Sequence, residues 1–191
     1  MRYAMPNGGP EDGVKLYDGQ RTPFPDGAVH PVLNWDSIIL VPEKYRVVDG
    51  NNVREMTVGE KKVVDNNMLS TLKKEKNAAI DKKTSELISA GYEYPADSGN
   101  KFSMSLAAQK NIMAFKTVVD IGAVSYPLKM TMTDPDGLDD EYDFDDADAF
   151  NAFYAGAFTF VQGYYDSGRA LKLEVKNASD IDELNAVIDN R

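Results

Sequence analysis

Apolar and aromatic side chains recur every three or four residues over 150–164. They share one face of a 3.6-residue period, and they are Phe150, Phe153, Tyr154, Ala157, Val161 and Tyr164. This spacing predicts a helix whose aromatic face packs in a core, with an oligomer interface as the alternative. Asp145 and Asp146 precede it, where N-cap and first-turn acids are favoured. We expect the helix to continue to about Ala178.

A second helix is predicted from its N-terminal signal. Thr57 and Glu60 have the spacing of a capping box, so the helix begins at Val58. Apart from one glycine in the first turn, no Gly or Pro follows until Gly91, which predicts a helix over 58–90. Its apolar stripe is thin and is interrupted by KKEKN at 73–77. The helix therefore either breaks near Lys73, packs against copies of itself or another subunit, or lies as an ordinary amphipathic surface helix.

Shorter elements are predicted between and around these helices. Apolar and β-branched runs predict strands at 38–41, 45–48 and 53–56, the last two joined by a tight turn. A hairpin is predicted around the turn at 95–99, followed by a helix capped by Ser103 or Ser105 that ends near Asp120. Residues 123–133 indicate extended structure, and Pro127 favours an edge strand or a bulge over a central strand. A short helix capped by Ser179 or Asp180 closes the chain.

The first 37 residues differ from the rest. They contain five Gly and five Pro and show neither a helical nor a strand period. Their scattered aromatic residues are nevertheless too numerous for a solvated linker. This composition predicts an extended arm that docks on a partner, with packing on its own domain as the alternative.

Together these patterns predict an α+β fold in four parts. An extended Pro/Gly-rich arm covers 1–37, a small antiparallel β-hairpin region 38–57, and a long helical connector 58–90. A compact, mostly helical domain with a hairpin covers 91–191.

Composition restricts the classes of function. The chain has 191 residues, no cysteine and a net charge of -10. An acidic chain is disfavoured as a nucleic-acid partner, because such binding depends on basic residues. No apolar run is long enough to span a membrane, and the N-terminal residues lack the pattern of a signal peptide, so we expect a cytoplasmic origin.

The sequence offers no motif for catalysis. His30 is the only histidine, and it lies between Val29 and Pro31 in the arm, where an oriented triad is hard to build. Nucleophile-elbow, Walker, zinc-protease and dinucleotide fingerprints are missing. We therefore expect no enzyme, no catalytic residue and no cofactor.

An acidic run at 134–148 is the one candidate metal site. It holds nine acids and no base, and such oxygen-rich loops hold Ca²⁺ in other proteins. In an EF-hand loop that begins at Asp134 the sixth and twelfth residues are Gly and Glu, but here they are Asp139 and Asp145. We therefore predict a solvated loop before the helix rather than a metal site, with a nonstandard Ca²⁺ site as the alternative.

Several segments resemble one family in order and spacing. These are KNAAIDKKTSELISAG at 76–91, GYEY at 91–94, KFSMSLAAQKN at 101–111 and NASDIDELNAVI at 177–188. Together they resemble a domain of unknown function, DUF4376, found in bacteriophage tail fibre and baseplate proteins. The resemblance covers about 72–191, and the junction upstream, YRVVDGNNVREMTVGEKKVVD at 45–65, is also similar to sequences that precede such domains.

The resemblance implies a structural component of a bacteriophage virion, assembled in the cytoplasm of the host. The expected role is a tail fibre, baseplate or tail adaptor protein that binds other virion proteins through residues 1–37. A capsid decoration or head fibre protein and a host-receptor-binding module are alternatives, and a carboxylate-based glycan hydrolase is the enzymatic one. We expect a homo-oligomer, with a trimer as the working hypothesis.

Overall fold

The computed structural model describes residues 2–6, 13–18, 28, 32, 34–50 and 52–191. The chain divides into two compact units, Met1–Lys74 and Glu75–Arg191. Helices and antiparallel sheets together confirm the α+β class. The elements are β1 (Arg2–Pro6), β2 (Val14–Asp18), α1 (Trp35–Ile38), a 3₁₀ turn (Glu43–Tyr45), β3 (Arg46–Asp49), β4 (Asn52–Glu55), α2 (Val58–Ser89), β5 (Tyr92–Glu93), β6 (Lys101–Phe102), α3 (Leu106–Asp120), β7 (Leu128–Thr133), β8 (Asp139–Phe144), α4 (Ala147–Asn177) and α5 (Ile181–Ala186).

The first unit is built on two antiparallel hairpins. Strand β1 pairs with β2, and β3 pairs with β4. One small apolar core joins these hairpins to α1, and its buried members are Ala4, Val14, Val32, Trp35, Ile38 and Val53.

The described residues of 1–37 differ from the predicted extended arm. Ala4 and Val14 are 0% and 3% exposed, and they pack in the same core as Trp35. These residues therefore follow the alternative prediction, in which the segment packs on its own unit. The sequence did not reveal it because each strand has five residues, and their apolar contacts come from residues distant in the chain.

The strand predicted at 38–41 is wrong. Trp35–Ile38 is a single helical turn, and the backbone after it turns toward Arg46. The buried Arg46 guanidinium donates to the carbonyl oxygen of Val41 at 2.8 Å and to that of Ile39 at 3.2 Å. Those carbonyls are bonded to a side chain instead of to a neighbouring strand. The two other strands predicted here are confirmed as β3 and β4.

The capping box at the start of α2 is confirmed. The backbone N–H of Thr57 donates to the Glu60 carboxylate at 2.8 Å, and the N–H of Glu60 donates to the Thr57 hydroxyl at 3.3 Å. Arg54 also donates to this carboxylate, and its hydrogen bonds, followed by those from Thr57, lower the pKa of Glu60 to about 2. The helix runs from Val58 to Ser89 without the break considered near Lys73.

The second unit combines a four-stranded antiparallel sheet with helices. Its strand order is β5-β6-β7-β8. The predicted caps of α3, α4 and α5 are confirmed at Ser105, Asp146 and Asp180. The core lies between the sheet and the helices, and its buried residues are Ile88, Phe102, Met104, Ile112, Val119, Leu128, Met132, Phe144, Phe150, Phe153 and Ala157.

The second unit begins earlier than the predicted boundary at residue 91. Ile80, Thr84 and Ile88 on α2 are buried. The ammonium group of Lys76 donates to the carbonyl oxygen of Leu184 at 2.6 Å. The C-terminal half of α2 is therefore part of this unit rather than a connector.

Strand β7 only partly fits the predicted edge position. It pairs with β8 at all six of its residues, and with β6 at Thr133, opposite Lys101. The strand begins at Leu128, directly after Pro127, as expected for a residue that cannot donate to a ladder.

Candidate functional site

The candidates for catalysis and metal binding were His30 and the acidic run at 134–148. His30 lies outside the described residues. The acidic run is not the predicted loop, because Asp139–Phe144 forms strand β8 and pairs along its whole length with β7. That prediction is wrong because Tyr142 and Phe144 pack against the core, while Asp139, Glu141 and Asp143 occupy the alternate positions of a two-residue period.

The acids of this run have separate structural roles. The Asp134 carboxylate accepts from the backbone N–H groups of Asp136 and Leu138 at 3.0 and 2.8 Å, which closes the β7–β8 turn. Asp146 accepts from the N–H of Ala149 at 2.8 Å and caps α4. In the described part of the chain, no three His, Asp or Glu side chains gather as a metal-ligand set.

Lys129 is the cation that the hairpin acids bind. Its ammonium group lies 2.9 Å from Glu141, its diagonal neighbour on β8, and 3.6 Å from Asp143, which is directly opposite. The hydrogen bond to Glu141, and then the charge of Asp143, raise the pKa of Lys129. All three side chains are about half exposed, so the cluster is a surface ion pair of small energetic weight.

The aromatic face predicted on α4 lies in the core. Phe150 and Phe153 are fully buried, and the Phe153 ring lies 4.6 Å from that of Phe102 and 5.4 Å from that of Tyr94. The Tyr94 hydroxyl donates to the carbonyl oxygen of Ala149 at 3.3 Å. The core interpretation of this face is therefore confirmed.

A second face of α4 is apolar and accessible. Together with α3 it forms a groove of about 230 Å³. Met113, Phe158 and Tyr165 line this groove and are 60%, 60% and 44% exposed. Large, clustered apolar side chains at a surface are typical of protein contact sites. We call this the α3–α4 groove.

Sequence reasoning missed the α3–α4 groove. Its signal is a second series on α4, in which Tyr154, Phe158, Val161 and Tyr165 follow at intervals of four, three and four. Periodicity alone assigns such a series to the core. Only the packing of α4 shows that the buried face ends before Phe158 and Tyr165.

The first unit has an apolar groove of its own. It encloses about 490 Å³ between the hairpins and the N-terminal turns of α2. Arg46 and Glu60 are its charged members, and both are engaged within the unit: Arg46 donates to backbone carbonyls, and Glu60 accepts from Arg54. The other described residues of its lining are apolar or glycine, and they include Val14, Val47, Val48, Met56, Val63 and Val64.

These features define a two-unit α+β protein whose accessible grooves are mainly apolar and whose acids serve turns, caps and surface ion pairs. The chain belongs to the family described as Domain of unknown function (DUF4376), which matches residues 71–189. The matched range nearly coincides with the second structural unit, Glu75–Arg191. No curated protein and no solved structure matches the chain. None of the described helices is long and apolar enough to cross a bilayer.

Proposed function

We propose that this chain is a structural component of a bacteriophage virion: a tail fibre, baseplate or tail adaptor protein without a catalytic role. The observation that carries the proposal is the two-unit organisation. The family domain and the second unit nearly coincide, and the chain before residue 71 forms the larger part of a separate unit with its own core. An adaptor needs such a division, with one part for attachment and another for display or assembly.

The resemblance of the second unit to domains of tail fibre and baseplate proteins supports the same role. In this proposal the first unit, including residues 1–37, attaches the chain to other virion proteins. The described residues of 1–37 include the hairpin β1–β2 and pack in the core of the first unit, so in this proposal the attachment surface lies on a small domain.

Homo-oligomerisation is part of the proposal, with the trimer as the working hypothesis. The α3–α4 groove supports it, because Met113 and Phe158 are both 60% exposed and burying large apolar side chains is the main driving force of subunit association. Phe158→Glu should shift the chain toward monomer in sedimentation velocity. Leu173→Glu is the matched control, since Leu173 is also exposed on α4 but does not line the groove. A wild-type chain that sediments as a monomer at micromolar concentration would contradict this part of the proposal.

Particle composition tests the proposed function. The chain is tagged in the strain that encodes it, virion production is induced, and particles are purified by density banding. We expect the chain to band with intact particles at a constant ratio to the major capsid protein. A chain found only in the soluble lysate of a culture that produces particles would refute the proposal.

A deletion of residues 1–36 tests the attachment role. The core of the second unit uses residues from Ile88 onward, so we expect the shortened chain to stay soluble and to keep the thermal transition of that unit. Its incorporation into particles should be lost. Incorporation at the wild-type level would show that attachment uses another surface.

Binding to a host receptor is the second candidate function. The exposure of Phe158 and Tyr165 favours it, because aromatic side chains supply much of the energy at recognition sites. The purified chain would then compete with particles for adsorption to host cells, and Phe158→Glu would abolish the competition. Particles that carry the chain but adsorb equally well in its presence would exclude this role.

A further inference from the structure

Strand β7 has one open side along most of its length. On one side all six of its residues pair with β8. On the other side, pairing within the described residues is confined to Thr133, which faces Lys101 of β6. After Phe102 the chain leaves the sheet toward α3, so no strand of the described residues lies beside Leu128–Met132 on that side.

The hydrogen-bond pattern shows which backbone groups face the open side. The N–H of Asp134 donates to the carbonyl oxygen of Leu138 at 2.8 Å, in register with the β7–β8 ladder. In an antiparallel ladder, residues bonded to the partner alternate with residues whose N–H and C=O point away. Counting back from Asp134, the groups of Met132 and Met130 point to β8, and those of Thr131 and Lys129 point away from it.

A second hydrogen bond confirms this assignment independently. The N–H of Tyr94 donates to the carbonyl oxygen of Asn100 at 3.1 Å, in register with the β5–β6 ladder. The next residue, Lys101, therefore directs its backbone groups away from β5 and toward β7. Lys101 pairs there with Thr133. Thr131 is two residues from Thr133 in the same strand, so its backbone N–H and C=O point to the same side.

A groove follows the open side of β7. It has a volume of about 320 Å³, and α3 forms its other wall. Ile112 and Phe115 supply the apolar part of that wall, and Asn111 and Ser103 supply polar groups. The groove thus occupies the space in which β6 would continue if it were longer.

We propose that this groove binds an extended peptide segment of another protein, which adds a strand to β7. The outward groups of Thr131 and Lys129 repeat every two residues, or about 7 Å, and an extended backbone has the same repeat. A bound strand would pair with both residues, as in other cases of strand addition to a sheet edge. Alternate side chains of the peptide would contact Ile112 and Phe115.

The charges at the two edges of the sheet support this choice of site. The outer edge strand, β8, carries Asp139, Asp140, Glu141 and Asp143, and charged side chains on an edge strand discourage pairing. On the open side of β7 the charged residues that line the groove are Lys101, Lys129 and Asp139, so positive charge is in excess there. Lys101 lies at one end of the groove, is exposed, and forms no ion pair within the described part of the chain. The preferred peptide therefore carries a carboxylate near Lys101.

This inference does not depend on the proposed virion role, because it rests on the geometry of the sheet alone. Amide exchange measured by NMR on the full chain tests its premise. The amides of Lys129 and Thr131 should exchange quickly, and those of Met130 and Met132 should be protected by β8. Protection of all four amides in the free protein would show that the edge is already covered, and would overturn the proposal.

Peptide selection on the immobilised full chain tests binding. The probe is a displayed library of random twelve-residue peptides, and the selected sequences are synthesised and titrated against three variants. Thr131→Pro removes the outward N–H but none of the bonds to β8, so it should weaken binding at least tenfold. Thr131→Val keeps that N–H and should bind within about twofold of wild type. Lys101→Glu should weaken peptides that carry a carboxylate.

Far-UV circular dichroism and melting temperature establish that Thr131→Pro remains folded. If it does not, N-methylation of alternate peptide amides replaces it: methylation of the amides that face β7 should abolish binding, and methylation of the others should leave it unchanged. A library without binders, or binders that tolerate both changes, would overturn the proposal. A dimer of the free chain that Thr131→Pro dissociates would identify a second copy as the occupant and overturn the assignment to another protein.

Discussion

The Nη1 group of Arg191 donates to the hydroxyl oxygen of Thr84 across 2.9 Å, and this bond joins residues 107 positions apart in the sequence. Thr84 is 5% exposed on α2, and its own hydroxyl donates to the carbonyl oxygen of Ile80. The same guanidinium donates to the carbonyl oxygen of Tyr164 and to the hydroxyl of Ser167 on α4, both at 3.2 Å. Arg191 therefore links α2 to α4 within the second unit.

Replacing Arg191 should destabilise the second unit. Arg191→Ala removes these bonds and the 2.6 Å contact with the Asp189 carboxylate, which keeps Lys83 at 3.6 Å. We therefore expect a loss of about 2–3 kcal/mol in the free energy of unfolding. Arg169→Ala is the matched control, because the Arg169 side chain is 74% exposed and forms a surface ion pair with Asp166. Its effect should stay below about 0.5 kcal/mol. Urea unfolding followed by far-UV circular dichroism measures both, and equal effects would contradict the assigned role.

Two glycines of α4 should respond oppositely to alanine. A Cβ at Gly168 would lie 2.7 Å from the Thr84 hydroxyl oxygen and 3.1 Å from the Arg191 guanidinium, whereas a Cβ at Gly163 meets nothing within 4 Å. Gly163→Ala should therefore stabilise the protein by about 0.5–1 kcal/mol, because alanine loses less entropy in a helix. Gly168→Ala should destabilise the protein, because the close contact of the new Cβ with Thr84 outweighs the same gain in helix propensity. Melting temperatures check the pair, and stabilisation by both would show that α2 and α4 separate easily.

The Asp189 carboxylate should make stability depend on acid pH. The hydrogen bonds from Arg191 lower the pKa of Asp189 to about 2. Because this value lies below that of the unfolded chain, the contribution is complete above about pH 4 and is lost as the pH falls toward about 2. Both side chains are largely buried, and we expect about 1–2 kcal/mol after allowance for solvent screening.

Asp189→Asn tests this assignment. At about pH 7 the variant should be less stable than wild type, and the difference should disappear as the pH falls below about 2, where the wild-type carboxylate becomes protonated. Asp166→Asn, which alters an exposed ion pair, serves as the control. A difference between wild type and Asp189→Asn that is independent of pH would show that packing, rather than charge, is responsible.

Calcium should leave the melting temperature unchanged. The carboxylates of 134–148 close a turn, pair with Lys129 or cap α4, and they do not gather around a common point in the described structure. A ligand that binds only the native state raises the melting temperature. Thermal unfolding with and without millimolar CaCl₂ is the measurement, with MgCl₂ as the control for ionic strength. A rise with Ca²⁺ alone would restore the alternative of a nonstandard site.

The helices were predictable from the sequence because their signals are local. The capping box of Thr57 and Glu60, the N-cap of Ser105 and the aromatic period from Phe150 involve residues within one or two turns of each other. Interactions of this range form from the segment's own side chains. The pairing of Tyr92 with Phe102 across a short turn belongs to the same category.

The errors arose where side-chain hydrogen bonds and strand pairing override the preference of a single segment. The aliphatic residues at 38–41 favour a strand, but Arg46 donates to the carbonyl oxygens of Ile39 and Val41, and Ile38 packs with Trp35. Acidic residues at 139–143 favour a loop, but pairing with β7 and the burial of Phe144 stabilise a strand.

The sequence by itself determined the α+β class, the ends of the main helices, the core face of α4 and the family domain. The tertiary structure decided the folding of the described N-terminal segments onto their own core, the place where the second unit begins, and the surfaces left open. The reason is physical. Capping and helical periodicity are properties of neighbouring residues, whereas an exposed groove beside Phe158 or an unpaired edge at Thr131 depends on how the folded elements pack around it.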